Sequence, residues 1–403
     1  MSKPEVLVVG GGMITHDQLL PSLYHLQRQG RLGEISVCAQ RRRTVQALSA
    51  SRTLAEAFPG QSFRCFPNSG DSDKPEPDLF RDLIARMSPG NIVVVAVPDP
   101  LHFDVIMTAL RHDQHVCTVK PLVLKHAHAV EIAQTAHSRG LVVGIDYHKR
   151  FDHRSLMARR NYRAGLFGEF KLGTACLLEK WYYRSSNFQN WMTTANSDAF
   201  TYIGCHYVDL VHFITGLIPA AVSVYGVIDQ FPNGKEGFLW SDARVIWSNG
   251  ACLNVQNALG YPDAAAGSNT QELTMYCKGA ADGALISHSD QYRGMKYSYA
   301  RASNDPGATQ YTEPNPDYFQ YLDFGGSALV PAGYGYRSIE YIIDACIRVE
   351  SIPRSDVRQR RSILGELDET GIMATPANSS YNERVIEAGR ESILNGGKAV
   401  QLR

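Results

Sequence analysis

Three short stretches of this 403-residue chain bring together residue types able to do chemistry. Gly10-Gly11-Gly12-Met13-Ile14-Thr15 follows an apolar run and opens a helix-length segment. It fits G-x-G-x-x-G, with Thr15 where the last glycine would stand. Gly10 permits a tight turn, and Gly12 lets the backbone approach a pyrophosphate at a helix N-terminus, with Met13 and Ile14 beside it. Thr118-Val119-Lys120-Pro121 ends a second buried run. Pro121 disfavours helical geometry at Lys120 and so sets a partly desolvated ammonium at the edge of a sheet. Tyr202, His206 and Asp209 fall at i, i+4 and i+7, one face of a helix. Each stretch also has a plainer reading: a glycine turn, a solvated lysine, a buried polar cluster that orients a helix.

Two further stretches bear on a dinucleotide. At the end of the second apolar run, Cys38-Ala39-Gln40-Arg41-Arg42-Arg43 lacks the Asp or Glu that would bond ribose hydroxyls. Gln40, Arg41 and Arg42 would instead tolerate a 2′-phosphate, which tips the expected cofactor from NAD slightly toward NADP. The alternative is a solvated helix start. Pro98 and Pro100 stiffen the loop after the fourth run, and His102 would cap the next helix or touch the cofactor. Upstream of Tyr202, Glu179-Lys180-Trp181-Tyr182-Tyr183 and Trp191 mix aromatics with polar groups. Such a mixture suits a sugar, whose C–H faces stack on rings. It suits an aromatic core or dimer contact nearly as well.

The elements that would position these groups alternate through residue 147. Buried strands are expected at Val6 to Val9, Glu34 to Ala39, Ser62 to Phe66, Asn91 to Val97, His115 to Thr118 and Leu141 to Asp146. Helices such as His102 to Arg111 and His126 to Ser138 lie between them. This is the grammar of a parallel α/β sheet. After Phe151, strand-like runs follow one another between turns such as Pro232-Asn233-Gly234, which implies a large, mostly antiparallel sheet. One long helix, about Ser197 to Thr215, would cover one face, and a second subunit the other. Helices near Ser338 to Glu350 and Ser379 to Leu394 close the chain, and residues 303–335 read as a long ordered loop. The expected domains are 1–147, a Rossmann domain, and 148–403, a substrate-binding and oligomerisation α+β domain.

Lys+Arg and Asp+Glu both number 40, so no basic excess points to nucleic acid. Apolar runs are too short to span a bilayer, and no charged-then-apolar leader opens the chain. A cytoplasmic protein is expected. Eight cysteines without a C-x-x-C pair read as reduced thiols, and no metal site is expected.

Together these residues resemble the Gfo/Idh/MocA family, named for glucose–fructose oxidoreductase and inositol dehydrogenase, over almost the whole chain. Val119-Lys120-Pro121 is similar to the family's E-K-P, with Val119 for Glu. Tyr147-His148-Lys149-Arg150-Phe151 is similar to its Y-x-x-R-F segment, and Gly204 to Asp209 to its G-x-H-x-x-D helix. Tyr381 to Ala388 and on to Val400 resembles its last helix and strand. The resemblance implies catalytic roles for Lys120 and His206. An Asp often stands four positions before the histidine, and here Tyr202 takes that place. The expected reaction is hydride transfer between NAD(P) and a CH–OH carbon of a sugar or polyol. Arg150, Trp181, Tyr202, His206, Asp209 and Lys120 are expected to contact that substrate. Two rivals remain: an enzyme of the family that uses transient oxidation to cleave a glycoside or isomerise, and a non-enzymatic sugar or dinucleotide sensor.

Overall fold

The computed structural model describes residues 3–265, 269–279, 283–289 and 317–402. The chain divides into two compact units. One comprises Met1–Val123, Ala127–His148 and Tyr321–Ser380; the other comprises Leu124–His126, Lys149–Gln320 and Tyr381–Arg403. Residues 321–380 thus join the first unit, although chain order had placed them in the second domain. The helix Tyr334–Glu350 explains the difference: it packs on strands of the first sheet, and its buried Ser338 bonds Asp146 there at 2.6 Å.

The first unit is built on six strands: β1 (Val6–Val9), β2 (Ile35–Cys38), β3 (Arg64–Phe66), β4 (Ile92–Val95), β5 (His115–Val119) and β6 (Val143–Asp146). They lie in the order β3-β2-β1-β4-β5-β6, and every neighbouring pair is parallel. Central strands of a parallel sheet are covered on both faces, so they read as unbroken apolar runs. VLVV in β1 and IVVV in β4 are buried at every position. The fold of the first unit is therefore the expected doubly wound one. It contains a further helix, Val357–Thr370, which the sequence reading had not placed.

The second unit holds a seven-stranded sheet. Its strands are β7 (Phe170–Lys180), β8 (Pro219–Gln230), β9 (Glu236–Trp247), β10 (Cys252–Tyr261), β11 (Asn269–Cys277), β12 (Ala284–Ser289) and, after a two-stranded pair β13 (Gln320–Leu322) and β14 (Val330–Ala332), β15 (Val400–Gln401). The order is β12-β11-β7-β10-β9-β8-β15, with only the β7–β10 pair parallel. Burial alternates along β9 and β11, as one covered and one open face require. On the open face Leu172, Tyr276 and Leu285 are aligned across three strands, each about half exposed, and Tyr225 projects from β8. The segment expected as a loop over 303–335 contains β13 and β14 from residue 320 on; its part 303–316 lies outside the described residues.

The long helix expected from Ser197 differs in one respect that matters for the site. Asp198 accepts from the Thr201 N–H at 2.7 Å and from its hydroxyl at 3.0 Å, so the chain turns into helix only after this residue. The first turn, Phe200–Gly204, is a wide π-turn, and regular helix runs over Cys205–Thr215. Gly204 is required there. A Cβ would come within 2.6 Å of both Asn257 Oδ1 on β10 and the Phe200 ring.

Candidate active site and cofactor cradle

In the first unit the carboxyl ends of adjacent strands carry the predicted cofactor residues. Gly10 follows β1, Gln40 follows β2, Pro98 follows β4 and Lys120 follows β5. Gly10 has φ +118°, and a Cβ on it would lie 2.0 Å from the Ala96 carbonyl oxygen, so no other residue fits. Gly12 is exposed, and a Cβ there would meet no atom within 4 Å. That open flank, at the start of a helical segment, is what a pyrophosphate needs, and Met13 and Ile14 line it half-buried. Thr15, in the place of the third glycine, is fully buried and closes the loop on itself by donating its hydroxyl to the Gly10 carbonyl at 2.8 Å. The turn Thr15–Leu19 is again a π-turn. His16 sits in it, paired with Asp17 at 2.6 Å and with the Ser51 hydroxyl at 2.8 Å. The hydrogen bond that its ring donates to Asp17 raises its pKa. The residues present fit a dinucleotide.

At the ribose end, Gln40 is exposed and Arg41 is the N-cap of the helix Arg42–Ser49. Arg41 donates to the Asp73 carbonyl at 3.0 Å and Arg42 to the Gly70 carbonyl at 3.1 Å, while Arg43 pairs with the Asp73 carboxylate at 2.7 Å. The arginines hold the 70–73 loop beside the end of β2 rather than standing free at a helix start.

His102 is a correction. It is fully buried, with Nδ1 2.8 Å from the Pro121 carbonyl oxygen and Nε2 2.9 Å from that of Val97. Both ring nitrogens are committed to the backbone, so the ring ties the loop after β4 to the one after β5 and does not face a cofactor. Lys120 is half-buried, directly after β5.

In the second unit the expected stripe of Tyr202, His206 and Asp209 starts in the π-turn and continues into the regular helix. The π-turn takes Tyr202 into an aromatic group, where its ring lies edge-on to Phe188 at 4.8 Å and tilted to Trp191 at 5.7 Å. His206 follows in the regular helix and is 5% exposed. Asp209 and Arg150, both expected to contact substrate, are turned instead to each other. The guanidinium donates to the Asp209 carboxylate at 2.8 and 2.6 Å, and both residues are buried. Tyr381 joins them, its hydroxyl donating to Asp209 at 2.8 Å. Burial, then the Asp209 charge, pushes the Tyr381 phenol well up. His212, one turn on, lies tilted against Tyr381 with ring centres 4.0 Å apart, and burial lowers its pKa to about 4. Lys149 belongs to the Tyr147–Phe151 segment. It is buried, donates a short hydrogen bond to Gln271 and lies 5.6 Å from the ring of Tyr207, the neighbour of His206. Trp181 is 46% exposed over the Arg184 guanidinium.

All eight cysteines are free thiols, and among the described residues no helix is long and apolar enough to cross a membrane. Comparison with known proteins agrees with this architecture. Residues 5–147 match the model of the family GFO_IDH_MocA, described as an oxidoreductase family with an NAD-binding Rossmann fold. A D-glucoside 3-dehydrogenase of Escherichia coli is 26% identical over 224 residues, which are 54% of this chain and 56% of that protein. The chain thus spans about half the length of this curated relative. Among solved structures, a myo-inositol 2-dehydrogenase from Lactobacillus plantarum superposes with a TM-score of 0.63 at 15% identity, covering 100% of both chains. The WlbA dehydrogenase of Bordetella pertussis, in complex with NADH and UDP-GlcNAcA, gives 0.64 at 17% identity, covering 100% of this chain and 99% of its own. The fold is that of these structures, and residues 5–147 are similar to the Gfo/Idh/MocA oxidoreductase family in its NAD-binding Rossmann fold.

Proposed function

We propose that this protein moves a hydride between a nicotinamide dinucleotide and a secondary alcohol carbon of a sugar, polyol or derivative. The observation that carries the reading is the open flank of Gly12 beside the strained Gly10, in a domain matched to an NAD-binding family. The cofactor supplies the hydride chemistry when bound. Lys120 bonds the reacting oxygen and stabilises alkoxide charge as it develops. His206 takes the hydroxyl proton in oxidation and returns it in reduction. Tyr202 offers a phenol where related proteins often carry an Asp, and its hydroxyl is the group that would pass that proton on. The names of the relatives, a glucoside dehydrogenase and an inositol dehydrogenase, support the substrate class.

Three finer readings belong with this one. Arg41 and Arg42 donate to backbone carbonyls, which leaves their charge for an anion and supports NADP over NAD. The half-exposed Leu172, Tyr225, Tyr276 and Leu285 on the open sheet face support a homo-oligomer formed there. Eight free thiols support a reducing, cytoplasmic setting.

The test is turnover. Lys120→Met should abolish it while cofactor binding persists; normal turnover in that variant would remove Lys120 from the mechanism. In the unaltered enzyme, NAD(P)H formed in step with substrate consumed separates net oxidation from a route in which oxidation is only transient.

A further inference from the structure

The turn after β7 is pinned more firmly than a connecting loop needs. Lys180 is 4% exposed, and its ammonium donates to the carbonyl oxygens of Pro262 at 3.1 Å, Asp263 at 2.9 Å and Ala265. The Trp181 N–H donates to the Tyr261 carbonyl and the Tyr182 N–H to the Asp263 carboxylate, at 2.9 and 2.8 Å. Two strand ends are thereby fixed to each other, and the residue displayed between them is Trp181.

Arg184 fixes the indole itself. It is 1% exposed, donates to the Leu259 carbonyl at 2.6 Å and to Asp229 at 2.7 Å, and its guanidinium carbon lies 3.6 Å from the centre of the Trp181 ring. Trp240 approaches the same guanidinium at 5.4 Å and donates its Nε1–H to Asp229 at 3.2 Å. A cation against one face orients an indole and leaves the other face unused. Trp181 is 46% exposed, so much of the side chain is accessible. Asp229 is also open, with its side chain 41% exposed, and the hydrogen bond from Arg184 keeps its carboxyl below the usual range.

An immobilised indole beside an ionised acceptor has the two features a pyranose ring needs: a flat face for its axial C–H groups and an oxygen for its hydroxyls. The proton chemistry assigned to His206 and Tyr202 uses neither residue. Tyr202, Trp191, Tyr183 and Trp240 all pack on one buried cluster of Phe188, Met192, Phe231, Leu239 and Leu259, so Tyr202 and this corner share one core.

We infer that Trp181 and Asp229 form a carbohydrate subsite for a ring beyond the one that reacts, so that the substrate is a glycoside or disaccharide rather than a free monosaccharide. Arg184 is the positioning residue of this subsite. The inference rests on the proposal that a sugar reacts at His206.

Calorimetric titration of the full chain with cellobiose, maltose and sucrose, each against glucose, tests it. At least one disaccharide should bind about tenfold or more tighter than glucose. Trp181→Ala should lose that excess, Asp229→Asn should lose part of it, and Trp181→Phe should keep most of it. No disaccharide preference, or a preference that survives Trp181→Ala, overturns the subsite. So does a change of oligomer size in Trp181→Ala with no change in sugar affinity, which would make Trp181 a contact between copies. The two proposals fail separately: disaccharide binding lost in Trp181→Ala without any turnover removes the hydride reading alone, and turnover of free sugars with no disaccharide preference removes the subsite alone.

Discussion

Arg150 and Asp209, 59 positions apart in the chain, face each other through two hydrogen bonds of 2.8 and 2.6 Å, with both side chains about 2% exposed. A buried pair of this kind is a poor candidate for substrate binding, since an incoming ligand would have to break it. Removing one partner strands a charge in a low-dielectric site, which typically costs about 3–5 kcal/mol. Asp209→Ala should therefore lower unfolding stability by that order in urea titration. A loss below about 1 kcal/mol would mean that the pair is solvated in solution.

The same corner carries a pH dependence. His212 is held neutral by burial, its pKa lowered from 6.5 to about 4. A folded-state pKa below the unfolded one contributes stability that is present above 6.5 and lost as pH falls toward about 4. The loss is on the order of 3 kcal/mol at most. Stability of His212→Asn measured from pH 7 to pH 4 should fall less steeply than that of the unaltered protein. Parallel curves would show that His212 charges without cost.

Gly10 and Gly12 should separate by substitution. Gly10→Ala forces a Cβ against the Ala96 carbonyl at positive φ and should destabilise the fold by about 2 kcal/mol or more. Gly12→Val sets its Cβ in open space at an exposed position and should leave the melting temperature nearly unchanged while removing dinucleotide binding. Retained binding in Gly12→Val would place the pyrophosphate elsewhere.

Tyr202→Phe keeps the ring that packs on Phe188 and Trp191 and removes only the hydroxyl. If that hydroxyl passes a proton from His206, kcat should fall about tenfold or more and its pH profile should shift, while KM changes little. An unchanged pH profile would confine Tyr202 to packing.

Much of this was legible in the sequence because local pattern determined it. The all-apolar runs of β1 and β4 and the alternation of β11 placed those strands within two residues of their ends. What was not legible depended on contacts distant in sequence. Nothing near Arg150 announces Asp209 as its partner, and nothing near His102 announces the carbonyls of Val97 and Pro121 on both sides of its ring. The Tyr202–His206–Asp209 stripe assumed regular helix throughout, whereas Phe200–Gly204 is a π-turn whose Gly204 leaves no room for a Cβ beside Asn257. The helix Val357–Thr370 leaves little trace in the sequence because its buried apolar side chains, Leu364 and Leu367, are few among charged residues. Residues 321–380 join the first unit through Ser338 and Gln18, which both bond Asp146, a tertiary link that chain order hides.

The central claim is a dinucleotide cradled at Gly12, and direct titration tests it most simply. NAD⁺, NADH, NADP⁺ and NADPH would each be added to protein stripped of bound nucleotide, with tryptophan fluorescence as the signal. The account predicts micromolar or tighter binding of one pair, stronger for the phosphorylated pair and weakened selectively in Arg42→Ala. Absence of binding by all four would contradict it and leave a sugar-binding protein without redox chemistry as the better description.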